Sequence, residues 1–245
     1  MDTEAAEPAA NLWRAGLERV PDAVWRREDL RVLILAGNGL TSIPPDIGRL
    51  RRLHTLDLGH NALTALPEEI GELTALSRCL YLHDNRLTAL PRSLGRLHRL
   101  TYLNVGDNPV EALPEEIGGL VRLVELRAQR CRLRELPASL GRLTALRELW
   151  LRGNALTALP PGLSRLRELR ELDLRDNALA EVPGVLRGLP LLRRLDLRGN
   201  PLRAVPPWVA RELPALERLD LRWTGVRPAP EPVGELERRG CVVHR

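Results

Sequence analysis

Residues 146–166 read LRELWLRGNALTALPPGLSRL, with leucine at 146, 149, 151, 156, 159, 163 and 166 set around Asn154 and Pro160. The run Leu-x-x-Leu-x-Leu-x-x-Asn predicts a short strand whose Leu149 and Leu151 point to one side, because side chains alternate along extended backbone. Asn154 then turns the chain inward, where its amide can bond backbone groups of the adjacent turns. Pro160 ends the strand and pre-sets the entry to a short helical or 3-10 segment on the far side. Where such a segment closes on glycine, as in LPEEIGEL, the glycine suits a C-cap.

The same pattern covers most of the chain. Asn38, Asn61, Asn85, Asn108, Asn154, Asn177 and Asn200 stand at equivalent places, Cys131 and Thr224 fill the two remaining slots, and the steps are 23 or 24 residues. One such unit cannot bury its own leucines, but nine stacked units share a continuous core. The expected fold is therefore α/β: a right-handed solenoid, or horseshoe, with a concave parallel sheet and short helical or 3-10 segments on the convex side. Residues 30–226 hold the units. Residues 1–29 read as an N-terminal segment and degenerate capping unit with Leu17, Val20, Pro21 and Val24, and residues 227–245 as a C-terminal cap. Trp13 and Trp25 are expected to cover the first layer. PEPVGELERR reads as a short helix and GCVVHR as a last strand, with Val242 and Val243 over the final layer. One extra residue between Leu76 and Leu80 suggests a bulge at a strand entry, and one between Pro206 and Leu213 a loop change on the outer arc.

This pattern resembles that of leucine-rich repeat proteins. The tails LPEEIGEL, LPRSLGRL, LPEEIGGL and LPASLGRL are similar to those of the intracellular Ras-group type, seen in scribble- and erbin-like repeat domains. The resemblance covers about four fifths of the chain. It implies a non-catalytic signalling scaffold, with a small GTPase as one class of partner. It also implies that any enzymatic activity would reside in a separate domain, and the 29 residues before the units and 19 after them are too few for one.

Composition narrows the function further. The 37 basic residues are all arginine; with no lysine, a Walker A loop, a kinase or a Schiff-base enzyme is excluded. Cys79, Cys131 and Cys241 are odd in number and lack a CxxC pair, which suggests free thiols in a reducing cytoplasm. No apolar run is long enough to span a membrane, and the acidic start MDTEAAEPAA is unlike a secretory signal. The net charge of +5 invites a nucleic-acid reading, but most arginines alternate with Asp and Glu, as on a solvated mixed surface.

The residues beside the strand leucines should form four columns on the concave face, with neighbours about 4.8 Å apart. The first runs Val32, Thr55, Cys79, Tyr102, Glu125, Glu148, Glu171, Arg194, Arg218. The second runs Ile34, Asp57, Tyr81, Asn104, Arg127, Trp150, Asp173, Asp196, Asp220. The third runs Ala36, Gly59, His83, Gly106, Gln129, Arg152, Arg175, Arg198, Arg222. The last runs Gly37, His60, Asp84, Asp107, Arg130, Gly153, Asp176, Gly199, Trp223. Tyr, Trp and Arg dominate binding hot spots, and Tyr81, Tyr102, Arg127 and Trp150 fall together mid-sheet. The expected protein-binding set is these four with His83, Asn104, Glu125, Gln129, Glu148, Arg152 and Arg175. The Asp and Arg columns should pair laterally as exposed ion pairs, each worth about 0–1 kcal/mol.

Catalysis finds no support. Cys79 and His83 are four residues apart on one strand, about 13 Å, too far for a nucleophile–base bond. His60, Asp84 and Asp107 share a column, but no ligand motif accompanies them; neither a metal nor a cofactor is expected. His54, His98 and His244 read as solvated. The expectation is thus a monomeric, cytoplasmic, non-enzymatic module binding a protein on its concave face. The alternative is an effector-type, anionic-surface or nucleic-acid-binding protein that uses the Arg-rich face, which a steep salt dependence would reveal. The acidic columns weigh against phosphate.

Overall fold

The computed structural model describes residues 7–227 and 231–245. Eleven parallel strands form one open sheet in chain order: β1 Ala9–Asn11, β2 Val32–Ile34, β3 Thr55–Asp57, β4 Cys79–Tyr81, β5 Tyr102–Asn104, β6 Glu125–Arg127, β7 Glu148–Trp150, β8 Glu171–Asp173, β9 Arg194–Asp196, β10 Arg218–Asp220 and β11 Val242–His244. Each has three residues, with Leu at the centre from β2 to β10, and those leucines pair with one another across the sheet. Their side chains are almost wholly buried in a single continuous core. Full burial of one leucine contributes about 1.5–3 kcal/mol, so the stacking of units supplies what none has alone.

The asparagine slot seals the turns. Asn61 Nδ2 donates to the carbonyls of Leu35 (3.0 Å) and Leu58 (3.1 Å), and its Oδ1 accepts the Leu40 N–H at 3.1 Å. Asn85, Asn108, Asn177 and Asn200 repeat this pattern from buried positions. Five-residue 3-10 segments follow the prolines: Pro45–Arg49, Glu68–Glu72, Arg92–Arg96, Glu115–Gly119, Ala138–Arg142, Pro161–Arg165 and Gly184–Gly188.

The glycines of these segments are not C-caps. Gly71, Gly95, Gly118 and Gly141 lie inside the segments, and a leucine closes each one. Their role is close approach: a Cβ on Gly71 would lie 2.6 Å from Ser93 Cβ, and one on Gly95 would run into the Glu116 carbonyl. Adjacent segments also cap each other. The Ser93 N–H donates to Glu68 at 3.0 Å, and the Ala138 and Ser139 N–H groups donate to Glu115 at 3.1 Å.

Both extra residues leave the register intact. Before β4, the Thr101 hydroxyl reaches the Ser77 and Arg78 carbonyls at 2.9 Å each. On the outer arc, the longer segment closes as a true helix, α2 Trp208–Glu212, after the single turn α1 Asp22–Trp25 near the start. The ends correct two expectations. Trp25 is buried, but Trp13 is 58% exposed, lies against Gly37 and under the Arg14 guanidinium (4.8 Å), and is not part of the core. Val243 packs against the core while Val242 faces out; Val233 and Leu236 of α3, Glu231–Arg238, do most of the sealing. Arg239 fixes that cap by donating to the carbonyls of Ala210 (2.5 Å) and Leu213 (2.7 Å).

Candidate functional site

The strand register aligns the first two columns as read from the sequence, and mid-sheet they converge on aromatic and charged groups. The Tyr81 and Tyr102 rings lie 5.0 Å apart, and the Arg127 guanidinium lies 5.9 Å from the Tyr102 ring and 5.1 Å from the Trp150 ring. Two carboxylates hold this array. Arg127 Nε donates to Glu125 at 2.5 Å, and Trp150 Nε1 donates to Glu148 at 3.3 Å. All four anchors are half-buried. Burial, then the neighbouring charges of Glu125 and Glu171, pushes the Glu148 carboxyl up. Burial likewise pushes up the Tyr81 and Tyr102 hydroxyls, so both stay neutral donors at ordinary pH.

Other members of the expected set behave differently. Asn104 is buried at 7% exposure, and its Oδ1 accepts the Gly106 N–H at 3.0 Å; it shapes the strand end and is not offered to a ligand. His83 and Gln129 lie flat over Gly59 and Gly106, where a Cβ would collide with them. Gln129 Oε1 is buried and has no partner among the described residues.

Arg175 belongs to a ladder that is not merely exposed pairing. It reaches Asp173 at 2.8 Å and Asp196 at 3.4 Å; Arg198 reaches Asp196 at 2.6 Å and Asp220 at 3.4 Å; Arg222 reaches Asp220 at 2.7 Å. The side chains of Asp173 and Asp220 are only 5% and 7% exposed. Burial pushes the Asp220 carboxyl up, but the Arg222 hydrogen bonds and the Arg198 charge outweigh it and hold the group below the usual range. Most of these guanidinium groups are therefore committed within the sheet. Arg152 and Arg218 have no ion pair among the described residues.

The last column has a backbone feature that the residue pattern did not reveal. All nine of its members, from Gly37 to Trp223, have positive φ, between 48° and 70°. Gly and Asp suit such a position, whereas a Trp there is an outlier. Trp223 is also 76% exposed and stands beside Arg198 (5.9 Å) and Arg222 (5.8 Å). It edges the C-terminal end of the face, where Trp150, Arg194, Arg218 and His244 line an open cleft of about 300 Å³. The signal for Trp223 lay in the sequence, as the one aromatic in a column of small and polar residues.

Two of the three histidines read as solvated, His54 and His244, need correction, while His98 is exposed as expected. His54 is half-buried between Arg31 (2.9 Å) and Glu7 (3.0 Å), His98 Nδ1 donates to the Gly119 carbonyl at 2.8 Å, and His244 pairs in register with Asp220 on the concave sheet. Cys131 and Cys241 are buried and Cys79 partly so. Burial pushes the Cys131 thiol up to about 11. Among the described residues no three His, Cys, Asp or Glu side chains gather to hold a metal, and no helix is long and apolar enough to cross a membrane.

Family models for leucine-rich repeats match residues 28–71 and 77–177. The chain is a leucine-rich repeat protein. Solved structures agree on the architecture. A leucine-rich repeat protein of Leptospira interrogans is 25% identical with a TM-score of 0.65, the match covering 92% of this chain and 75% of that one. The GASSHO1/SCHENGEN3 receptor kinase ectodomain of Arabidopsis thaliana, solved with CASPARIAN STRIP INTEGRITY FACTOR 2, is 32% identical with a TM-score of 0.80, covering 92% of this chain and 28% of that one. An internalin of Listeria monocytogenes, 19% identical with a TM-score of 0.69, shares the fold over 91% of this chain and 69% of its own. This leucine-rich repeat chain thus spans under a third of the plant ectodomain it matches. No curated protein sequence matches it.

Proposed function

We propose that this repeat protein is a non-catalytic interaction module whose concave face binds a polypeptide, with Tyr81, Tyr102, Arg127 and Trp150 as anchors. The observation that carries the reading is the Tyr81–Tyr102–Arg127–Trp150 array held by Glu125 and Glu148. Such an array offers large amphipathic side chains already fixed in place, so little conformational entropy is lost on binding. A similar solenoid, the plant peptide hormone receptor RGFR1 solved with RGF2, supports the same use of the fold. Glu148, Arg152 and Arg218 would orient the partner through charge. The Ras-group likeness of the LPxxIGxL tails supports an intracellular scaffold and a small GTPase as one class of partner. The commitment of Arg175, Arg198 and Arg222 to aspartates argues against the anionic-surface alternative.

The test is capture from the source lysate by wild type and by a Tyr81→Ala/Arg127→Ala/Trp150→Ala variant, with circular dichroism to confirm that both fold. Proteins held by wild type and lost by the variant support the proposal. Equal capture by both refutes these anchors. Retention that collapses between low and moderate salt on an anionic resin, in both proteins alike, would favour the arginine reading.

A further inference from the structure

The diagonal between the last two columns brings together residues that no single column pairs. His83 Nε2 lies 3.2 Å from His60 Nε2, with ring centroids 4.6 Å apart and planes at 79°. On its other side the His60 ring is fixed: Nδ1 lies 2.6 Å from the Asp84 carboxylate. A carboxylate there holds the ring proton on Nδ1, so Nε2 carries a lone pair and accepts a hydrogen bond from His83 Nε2, a position that a cation can take in place of the proton; the same carboxylate support stands behind metal-bound imidazoles. His83 Nδ1 is buried and has no partner among the described residues, so that ring presents only Nε2 outward. Two imidazole nitrogens sharing an ion at about 2.0–2.1 Å each lie roughly 3–3.4 Å apart at ordinary ligand angles, and the observed separation falls in that interval.

We propose that His60 and His83 are the two protein ligands of a divalent transition-metal site on the concave face, oriented by Asp84 and taking Cu²⁺, Ni²⁺ or Zn²⁺. Imidazole selects these ions over Mg²⁺ and Ca²⁺, which prefer all-oxygen shells. Water fills the remaining positions. The site borders the aromatic array through the Tyr81 ring, 6.0 Å from His83. It does not depend on the polypeptide reading, because it rests on a different set of side chains.

The full chain, without a histidine tag, is titrated with NiCl₂ and ZnCl₂ by calorimetry. The expected result is one ion per chain. His60→Asn, chosen because Asn tolerates the left-handed backbone at φ 52°, and His83→Gln should each weaken binding at least tenfold. Asp84→Asn should weaken it by about tenfold or more, the usual effect of losing such a support. His98→Gln, whose ring is bonded to the Gly119 carbonyl, and Cys79→Ser should bind as wild type does. Circular dichroism checks that each variant is folded. Independently, substoichiometric Ni²⁺ should broaden the imidazole NMR signals of two of the five histidines. Equal affinity in wild type and His60→Asn, or broadening that falls on histidines other than 60 and 83, overturns the site.

Discussion

Cys131 occupies a slot where seven other units place asparagine, and this permits a substitution that should strengthen the fold. Asn154, one unit on, shows what the slot supplies. Its Nδ2 donates to the carbonyls of Ala128 and Leu151 at 2.8 Å each, and its Oδ1 accepts the Leu133 N–H at 3.1 Å. At position 131 the thiol reaches only the Val105 carbonyl at 3.5 Å and the Gln129 carbonyl at 3.7 Å. With its pKa pushed up by burial to about 11, it stays protonated and offers a single weak donor. The N–H of Val110, the donor that the repeat offset assigns to this slot, has no acceptor among the described residues. Cys131→Asn would supply that acceptor and a stronger donor to Val105. Two added bonds at a net 0.5–1.5 kcal/mol each give about 1–3 kcal/mol. For a chain of this size that raises the melting temperature by about 2–4 °C per kcal/mol. Calorimetric melting of Cys131→Asn is the assay, with Asn154→Cys as the reciprocal variant, expected to fall by a similar amount. A Cys131→Asn melting point at or below wild type, beside a destabilised Asn154→Cys, would falsify the argument.

Other perturbations probe other links. Leu149→Ala removes a fully buried strand leucine and should cost about 2–5 kcal/mol in urea unfolding; a loss under 1 kcal/mol would mean that the layers collapse around the cavity. Gly95→Ala drives a Cβ into the Glu116 carbonyl and should cost about 1–3 kcal/mol. Gly184→Ala meets nothing within 4 Å and should be neutral or stabilise by up to about 1 kcal/mol. The Ser93 N–H holds the Glu68 carboxyl below its ordinary range, and the Ser139 and Ala138 N–H groups do the same for Glu115. Their contribution is therefore complete above the unfolded carboxyl pKa of about 4.3 and fades as pH falls through the lower folded values. Glu148, pushed up, acts in the opposite sense and gains on protonation. Melting temperature should fall on acidification below about pH 4.3, and a Glu68→Gln/Glu115→Gln variant should show a shallower fall; equal slopes would refute the capping role.

The repeat pattern reached far into the structure because its period is a physical constraint. A one-residue slip would turn each strand leucine outward, so leucine spacing alone set Tyr81 beside Asn104 and Arg127 beside Trp150, as the strand pairing has them. What the pattern missed depends on geometry between units. The role of Gly95 follows from how closely two 3-10 segments approach, a distance that no spacing within one segment encodes. Trp13 and Trp25 are equally apolar, and only the path of the chain after β1 decides which one meets the core.

The candidate site divides along the same line. Column membership placed the anchors, but a column says which side a residue faces and nothing of how deep it lies. Asn104 and Arg127 share a column on neighbouring strands, yet the first is sealed by its bond to the Gly106 N–H and the second stands over two rings. The difference comes from the third column, where Gly106 lets Gln129 lie flat across the sheet and Gly59 does the same for His83. That tilt carries His83 off its own column to meet His60 diagonally. A small residue in one unit thereby redirects a large one in the next, so on this face side-chain placement is set by pairs of adjacent repeats. Replacing Gly59 by Ala should disturb His83 and the metal affinity of the His60–His83 pair, while the Tyr102–Arg127–Trp150 contacts, which rest on other strands, stay in place.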